Sequence, residues 1–350
     1  MKETSKKKEK NLGDEILLKY IEDPEGVDYN ELNLLLSEVY ADTNRDVQRT
    51  KKAFDSSQYF VFAYDGDRLV GAVRAISDGD WAVIYNHAVK EGYGDDVAKE
   101  LIKRLVDQLK GQHIFVNARI GSISFFEENG FQRTKTAYTY VGFEGKENEY
   151  PKGYFLPLGY KFENEYVEKK AHTKPDKDSK KKDLELSYTS SREGIDYERV
   201  TQVLSGAFGK KRNEVITITR EKIERTKELF DLSEYVSFAY DGEKLIGVAR
   251  AITDGVEEAY IQNVAVDPDY QGLGIGWEVV KKLGEDIQKD GLNPFLHTHP
   301  GAVGFYNHKG FLRNKTALDY RNDDELSHPM PPEMETGFYL PKGYRFIDEL

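Results

Sequence analysis

Val264-Ala-Val-Asp-Pro-Asp-Tyr-Gln-Gly-Leu-Gly-Ile-Gly-Trp277 is the stretch on which the fold turns. An apolar run starting at Tyr260 ends at Val266, and Asp267-Pro268 bends the chain. Beyond the glycines, Ile275, Val279, Val280, Leu283 and Ile287 recur on one helical face. The reading is strand, turn, helix. Gly272, Gly274 and Gly276 carry no Cβ, so their backbone N–H groups can approach an anion closely. A helix N-terminus adds orphan donors and the positive end of the helix dipole. Together they predict a pyrophosphate cradle that needs no lysine. The spacing is not the G-x-G-x-x-G of dinucleotide-binding folds, and the Gly-Lys-Ser/Thr of a P-loop is missing.

Outward from this stretch the chain repeats itself. Phe62-Ala-Tyr-Asp-Gly-Asp-Arg-Leu-Val-Gly-Ala-Val-Arg-Ala-Ile-Ser-Asp-Gly79 returns as Phe238-Ala-Tyr-Asp-Gly-Glu-Lys-Leu-Ile-Gly-Val-Ala-Arg-Ala-Ile-Thr-Asp-Gly255. Leu156-Pro-Leu-Gly-Tyr-Lys-Phe162 returns as Leu340-Pro-Lys-Gly-Tyr-Arg-Phe346. Matches stay in order while their separation drifts from 168 to 184 residues, which predicts two homologous domains with small insertions. The expected division is a disordered tail at 1–14, a first domain at 15–163, a charged linker at 164–185 and a second domain at 186–350. Each copy reads as helix, hairpin, strand, helix, strand, helix, strand. Asp65-Gly66 and Asp241-Gly242 mark the hairpin turns. The predicted class is α/β, a mixed and mostly antiparallel sheet flanked by helices in each copy.

The segment 264–277 resembles the coenzyme A motif Q/R-x-x-G-x-G/A of the GNAT family of N-acetyltransferases, with Gln271, Gly274 and Gly276 at the motif positions. The resemblance extends over about 186–346 and implies acetyl-CoA as cosubstrate. It implies contacts from Val264, Ala265, Val266, Gln271, Gly272, Leu273, Gly274, Ile275, Gly276 and Trp277. The pantetheine arm would slot between the strand ending at Val266 and the one at Phe295-Leu-His-Thr-His299, with backbone donors at 264–266 polarising the thioester carbonyl. Gly304-Phe-Tyr-Asn-His-Lys-Gly-Phe311 resembles the family's F-Y-x-x-x-G-F segment, which makes Tyr306 the expected proton donor to the departing thiolate.

A base is also needed. His297 and His299 flank Thr298, and strand alternation would send both to one face. Glu257, Glu258 and Asp319 are weaker candidates, read as solvated charges. H-x-H invites a metal, but no third ligand is identifiable nearby, and no metal is expected. In the first copy, alignment of the helices puts Tyr93 opposite Gln271, Asp96 opposite Gly274 and Ala98 opposite Gly276, while Phe126 stands for Tyr306 and Asn117 for His297. Asp95 and Asp96 would repel a pyrophosphate. The first copy is therefore expected to be degenerate, packing on the second as in a homodimer.

Composition narrows the chemistry. With no cysteine among 350 residues, thiolate metal sites and a cysteine nucleophile are excluded. Acetyl transfer would then be direct, in a ternary complex. A net charge of −12 disfavours nucleic acid and suits a cationic amine acceptor. The expected acceptor is a small-molecule primary amine; a protein or peptide amine, or a non-catalytic acetyl-CoA-binding module, are the alternatives. No apolar run reaches the roughly 20 residues of a membrane span, and the N-terminus lacks the apolar core of a secretory signal, so a cytoplasmic protein without membrane contact is expected.

Overall fold

The computed structural model describes residues 18–141, 153–157, 159–163, 165, 184–209, 217–307, 310–321 and 332–347. The expected tail at 1–14 and almost all of the linker at 164–185 lie outside them.

The first half runs β1 (Leu18–Ile21), α1 (Tyr29–Tyr40), α2 (Val47–Asp55), β2 (Tyr59–Asp65), β3 (Arg68–Ser77), β4 (Trp81–Val89), α3 (Gly94–Gln108), β5 (His113–Asn117), α4 (Ile123–Glu128), β6 (Phe131–Arg133) and β7 (Ala137–Tyr140). The second runs β8 (Leu186–Thr189), α5 (Tyr197–Phe208), α6 (Arg220–Asp231), β9 (Tyr235–Asp241), β10 (Lys244–Thr253), β11 (Glu258–Val266), α7 (Ile275–Lys289), β12 (Asn293–His297), α8 (Val303–Tyr306), β13 (Phe311–Arg313), β14 (Ala317–Tyr320) and α9 (Pro332–Phe338). Local chemistry sets many of these boundaries. Asp28, Asp46, Asp196 and Thr219 cap the N-termini of α1, α2, α5 and α6 with side-chain oxygens. Gly66 and Gly242 adopt φ of +59° and +56°, as the tight Asp-Gly hairpins require.

Two seven-stranded sheets result, ordered β1-β2-β3-β4-β5-β14-β6 and β8-β9-β10-β11-β12-β7-β13. Only β4–β5 and β11–β12 pair in parallel. Each long central helix covers one sheet face. Val97, Leu101 and Leu105 of α3 pack on the first sheet, and Val279, Val280 and Leu283 of α7 on the second.

The halves exchange strands. Strand β7 of the first half lies between β12 and β13, and β14 of the second lies between β5 and β6. The repeated closing motifs, which the sequence places at the two domain ends, meet in one cluster through Leu156, Leu340, Phe346 and Phe162. A cut in the linker would leave each half short of one interior strand. The sequence halves and the two sheets therefore do not coincide.

Between the sheets, equivalent residues meet reciprocally. Arg74 Nη2 pairs with Asp254 Oδ2 and Arg250 Nη2 with Asp78 Oδ2, both at 2.5 Å, with all four side chains no more than 1% exposed. Each guanidinium is further satisfied within its own half. Arg74 bonds Asn86 Oδ1, Ser57 Oγ and the Ala53 carbonyl. Arg250 bonds Asn263 Oδ1, Ser233 Oγ and the Leu229 carbonyl. Beside them Ile76, Val83, Tyr85 and Phe115 close on Ile252, Tyr260 and Phe295.

Removing one member of such a pair strands a buried charge, at a cost of about 3–5 kcal/mol. Arg250→Met is expected to lower the free energy of unfolding by about that amount in urea denaturation. Arg250→Met with Asp78→Asn, which removes both charges and keeps a side-chain oxygen for the Asp80 and Trp81 amides, should recover more than half of the loss.

Candidate active site

The second sheet is built to split. Its parallel ladder pairs Glu258 with Asn293, Ala259 with Pro294 and Tyr260 with Phe295, and stops there. Farther along β11 an extra residue is accommodated, since Arg250 pairs with Gln262 while Val248 pairs with Ala265. Asn263 takes the strain at φ +52°, and its side chain is held 2.5 Å from Arg250 Nε. Past Tyr260, β11 diverges from β12, so a cleft opens along the edge that carries Val264, Ala265 and Val266.

At the end of that edge Asp267 accepts a hydrogen bond from the Asp269 amide and an ion pair from Arg199, fixing a 3-10 turn at Pro268–Tyr270. Tyr270 Oη donates to Asp241 at 3.1 Å, and Gln271 Nε2 to the Val266 carbonyl at 3.1 Å. Gly272 and Gly274 then adopt φ of +81° and +85°, which only glycine takes without strain. No side chain caps α7, so its first amides keep their donors. A Cβ at Gly276 would lie 3.2 Å from Val266 Cγ2, which explains the third glycine by packing. An uncapped helix start beside a split sheet suits a diphosphate with an extended arm, and the residues present therefore fit acetyl-CoA.

Tyr306 ends α8 within the second core, its ring 5.8 Å from Tyr138 and 5.2 Å from Phe311. Burial pushes its phenol well above the usual range, so it stays protonated. The two histidines part company. Strand β12 ends at His297, so the alternation that would align it with His299 does not continue. His297 stacks on Phe115 of the other half at 3.9 Å, and neither ring nitrogen has a hydrogen-bond partner among the described residues. Burial drops its pKa to about 3, which keeps it neutral. His299 is exposed and accepts the Gly301 amide at Nδ1, capping the turn that leads to α8. Among the described residues, no group of three or more His, Cys, Asp or Glu side chains could hold a metal ion.

The first half has lost the same features by identifiable steps. Tyr93 Oη donates to Asp65 as Tyr270 donates to Asp241, so Tyr93 is the counterpart of Tyr270, one place from the sequence alignment. The segment between tyrosine and helix core is one residue shorter, and α3 starts directly after Tyr93. Asp95 and Asp96 occupy its first turn, where the second half has open glycines. A side chain also stands in the slot between β4 and β5. His87, the counterpart of Val264, sets Nε2 3.1 Å from the Ala98 carbonyl and stacks on Phe125 at 5.0 Å. Burial lowers its pKa to about 4, so the neutral ring donates to that carbonyl.

Sequence reasoning missed a cavity in the first half. A space of about 310 Å³ opens in the first half, lined in part by Tyr40, Arg45, Tyr85, Asn117, Glu257 and Glu258. A neighbouring one of about 230 Å³ shares Asn117, Ala118 and Glu258. Glu258, read from sequence as a solvated charge, is enclosed by the other half. Burial, then the nearby Glu257 and Asp254 carboxylates, raise its pKa to about 8. Asp319 is likewise not a surface charge. It accepts from Tyr339 Oη, and burial raises it to about 7. Two carboxyls at the tips of strands gave no sequence signal for this, since their enclosure comes from elements distant in the chain.

Glu258 and Asp319 bind protons more tightly folded than unfolded. These two carboxyls contribute stability that is lost as pH rises from the ordinary carboxylate range through about 7 to 8, while the buried neutral rings of His87 and His297 act with the opposite sign below the ordinary histidine range. Glu258→Gln should remove the Glu258 share, so that stability measured by denaturant titration falls less, or rises more, between about pH 5 and 8 than in the unaltered chain. An unchanged slope would contradict the burial described.

Comparison with known proteins bears on both halves. Residues 199–311 match the model of the acetyltransferase (GNAT) family and residues 23–145 that of an acetyltransferase (GNAT) domain. Over 74 residues, 21% of this chain, it is 39% identical to GCN5-related N-acetyltransferase 1, chloroplastic, of Arabidopsis thaliana. Over 104 residues, 28% of the chain, it is 35% identical to serotonin N-acetyltransferase 2, chloroplastic, of Oryza sativa subsp. japonica. The matches span 38% and 52% of those relatives. Among solved structures, the glucosamine N-acetyltransferase region of a fungal multi-domain GH3 beta-N-acetylglucosaminidase shares the fold at a TM-score of 0.52 and 11% identity, over 87% of this chain and 38% of that one. With one matched copy in each half, this chain belongs to the GNAT (GCN5-related N-acetyltransferase) family as a tandem member.

Proposed function

We propose that the second half acetylates a small-molecule primary amine with acetyl-CoA, by direct attack in a ternary complex, while the first half is a degenerate copy that stands where the partner of a dimer would stand. The observation that carries this reading is the uncapped start of α7, with Gly272 and Gly274 in left-handed conformations at the mouth of the split between β11 and β12. Amides of the Gln271–Gly276 turn hold the diphosphate, and the free edge of β11 at Val264–Val266 holds the extended arm and polarises the acyl carbonyl. Acetyl-CoA, when bound, supplies an acyl group activated as a thioester.

The chain's own groups then handle protons. The neutral amine nitrogen forms the new N–C bond as the C–S bond breaks, and the sulfur leaves with the electron pair. Tyr306, kept protonated by burial, gives its proton to that sulfur, and the acylated nitrogen then releases its extra proton, which restores the Tyr306 phenol. The ammonium form of the acceptor must lose a proton first, and His299, at the exposed turn seven residues before Tyr306, takes it. His297 serves as a neutral ring in the layer between the sheets. The net charge of −12 favours approach of a cationic amine. One relative is named a serotonin N-acetyltransferase, which makes arylalkylamines the acceptor class to try first.

Calorimetric titration of acetyl-CoA into the full chain should give one site, abolished in Gly274→Asp, Gly276→Asp. Two sites, or retention in the double variant, would overturn the assignment of live and degenerate halves. With an arylalkylamine acceptor, Tyr306→Phe should lower kcat by about 10²–10⁴-fold with little change in acetyl-CoA affinity.

A further inference from the structure

The cavity of the first half has the makings of a site with a different task. It lies at the diverging ends of β4 and β5, and its volume of about 310 Å³ suits a small molecule. Buried polar atoms in folded proteins are nearly always hydrogen-bonded. Here three side-chain atoms on one cavity's lining have no partner among the described residues: Arg45 Nη2, Tyr85 Oη and Asn117 Oδ1. The Arg45 side chain is only 6% exposed, and its nearest carboxylate is Glu257, at a loose 3.7 Å. A buried guanidinium with one nitrogen unused is costly unless something accepts from it.

The same lining brings an acid. Glu258 stands at the start of β11 and reaches the first-half cavity from the second half. Its counterpart by strand register is Trp81, since Trp81 pairs with His113 as Glu258 pairs with Asn293. Trp81 stacks on His113 at 4.3 Å and Phe115 at 5.5 Å, and so fills with an aromatic ring the place where Glu258 presents a carboxyl. The cavity thus owes its acid to a difference between the copies. The acetyl-CoA features of this half are meanwhile closed, by Asp95 and Asp96 at the head of α3 and by His87 against Phe125.

We infer that this cavity binds a small α-amino acid without transforming it, the carboxylate on Arg45 and the ammonium group between Glu258 and Asn117 Oδ1. Tyr85 Oη, set beside the Glu258 carboxyl, can accept from the ammonium. Both ends of the ligand are needed, because a plain amine leaves Arg45 unused and a plain carboxylate leaves Glu258 and Asn117 unused. The inference stands whether or not the second half transfers acetyl groups. Glu258 also belongs to the strand that forms the second half's cleft, so occupancy is placed to act on β11.

The test is calorimetry of the full chain at pH 8.5 with each of the free proteinogenic α-amino acids, without acetyl-CoA. At least one should bind at one site per chain, and its decarboxylated amine and its deaminated acid should each bind at least tenfold more weakly. Arg45→Met and Glu258→Gln should each weaken the amino acid at least tenfold. Glu258→Gln replaces a carboxyl with a group of the same shape, and circular dichroism with an unchanged unfolding midpoint at pH 5 certifies its fold. Acetyl-CoA binding in the second half, read in the same variants, should be retained. Absence of saturable binding by any amino acid would overturn the inference, and so would affinity that survives both substitutions. Equal affinity for the decarboxylated amine would overturn the role given to Arg45.

Discussion

Four buried side chains, Arg74 with Asp254 and Arg250 with Asp78, fix how everything else is arranged. A charge with no access to water must be matched at close range, and each of these is matched only across the boundary between the sheets. Neither sheet can therefore keep its own arginine satisfied in isolation. The same arginines hold Asn86 and Asn263, the residues with positive φ on β4 and β11. The pairing between halves is thus joined, through one guanidinium on each side, to the distortion that opens each central strand pair. The exchanged strands β7 and β14 reinforce this arrangement with backbone ladders that no local rearrangement can release.

That coupling frees the two copies to diverge in all but their contact surface. The interface residues are conserved between the copies in type and place: arginine, aspartate, serine and asparagine recur at matched positions. The clefts are not. Both copies have left-handed glycines here, Gly272 and Gly274 in the second and Gly92 and Gly94 in the first, but the first starts its helix at Gly94 and follows it with two aspartates; where the second has Val264, the first has a histidine bonded to its own helix. These changes are local, small in size and mutually consistent, which is the pattern expected when one ligand is given up while the scaffold is retained.

Much of this was legible in the sequence because it depends on short-range patterns. Hairpins follow from Asp-Gly, the long helices from their apolar spacing, the cradle from three glycines at the end of a strand, and the duplication from direct repetition. What escaped is what depends on contacts far apart in the chain. Strand exchange leaves no periodicity, since β7 and β14 have the same apolar pattern whichever sheet receives them. The pairing of His297 with His299 assumed that alternation persists, and a strand end lies between them. Glu258 looked solvated because its sequence neighbours are polar, whereas its surroundings are supplied by Tyr85 and Asn117, about 140 to 170 residues away. The misplacement of Tyr93 by one position arose because the shortened turn sits between two well-matched segments, and only a side-chain hydrogen bond to Asp65 shows on which side the gap falls.

The difference between the two halves also explains why the cavity stands away from the glycine-rich turn of the second half. The cleft of the second half is an open edge of sheet, shaped to take an extended chain lying along it, and such a groove encloses little space until it is filled. The first half keeps a pocket between the ends of β4 and β5, with His87, stacked on Phe125, in its wall. That pocket is completed by adjoining loops of its own half and by Glu257 and Glu258 at the start of β11. A pocket with unsatisfied polar atoms and an enclosed acid is the opposite design to an edge of sheet with backbone donors. Two copies of one fold thus present different surfaces at matched places, and the exchanged strands tie the two together.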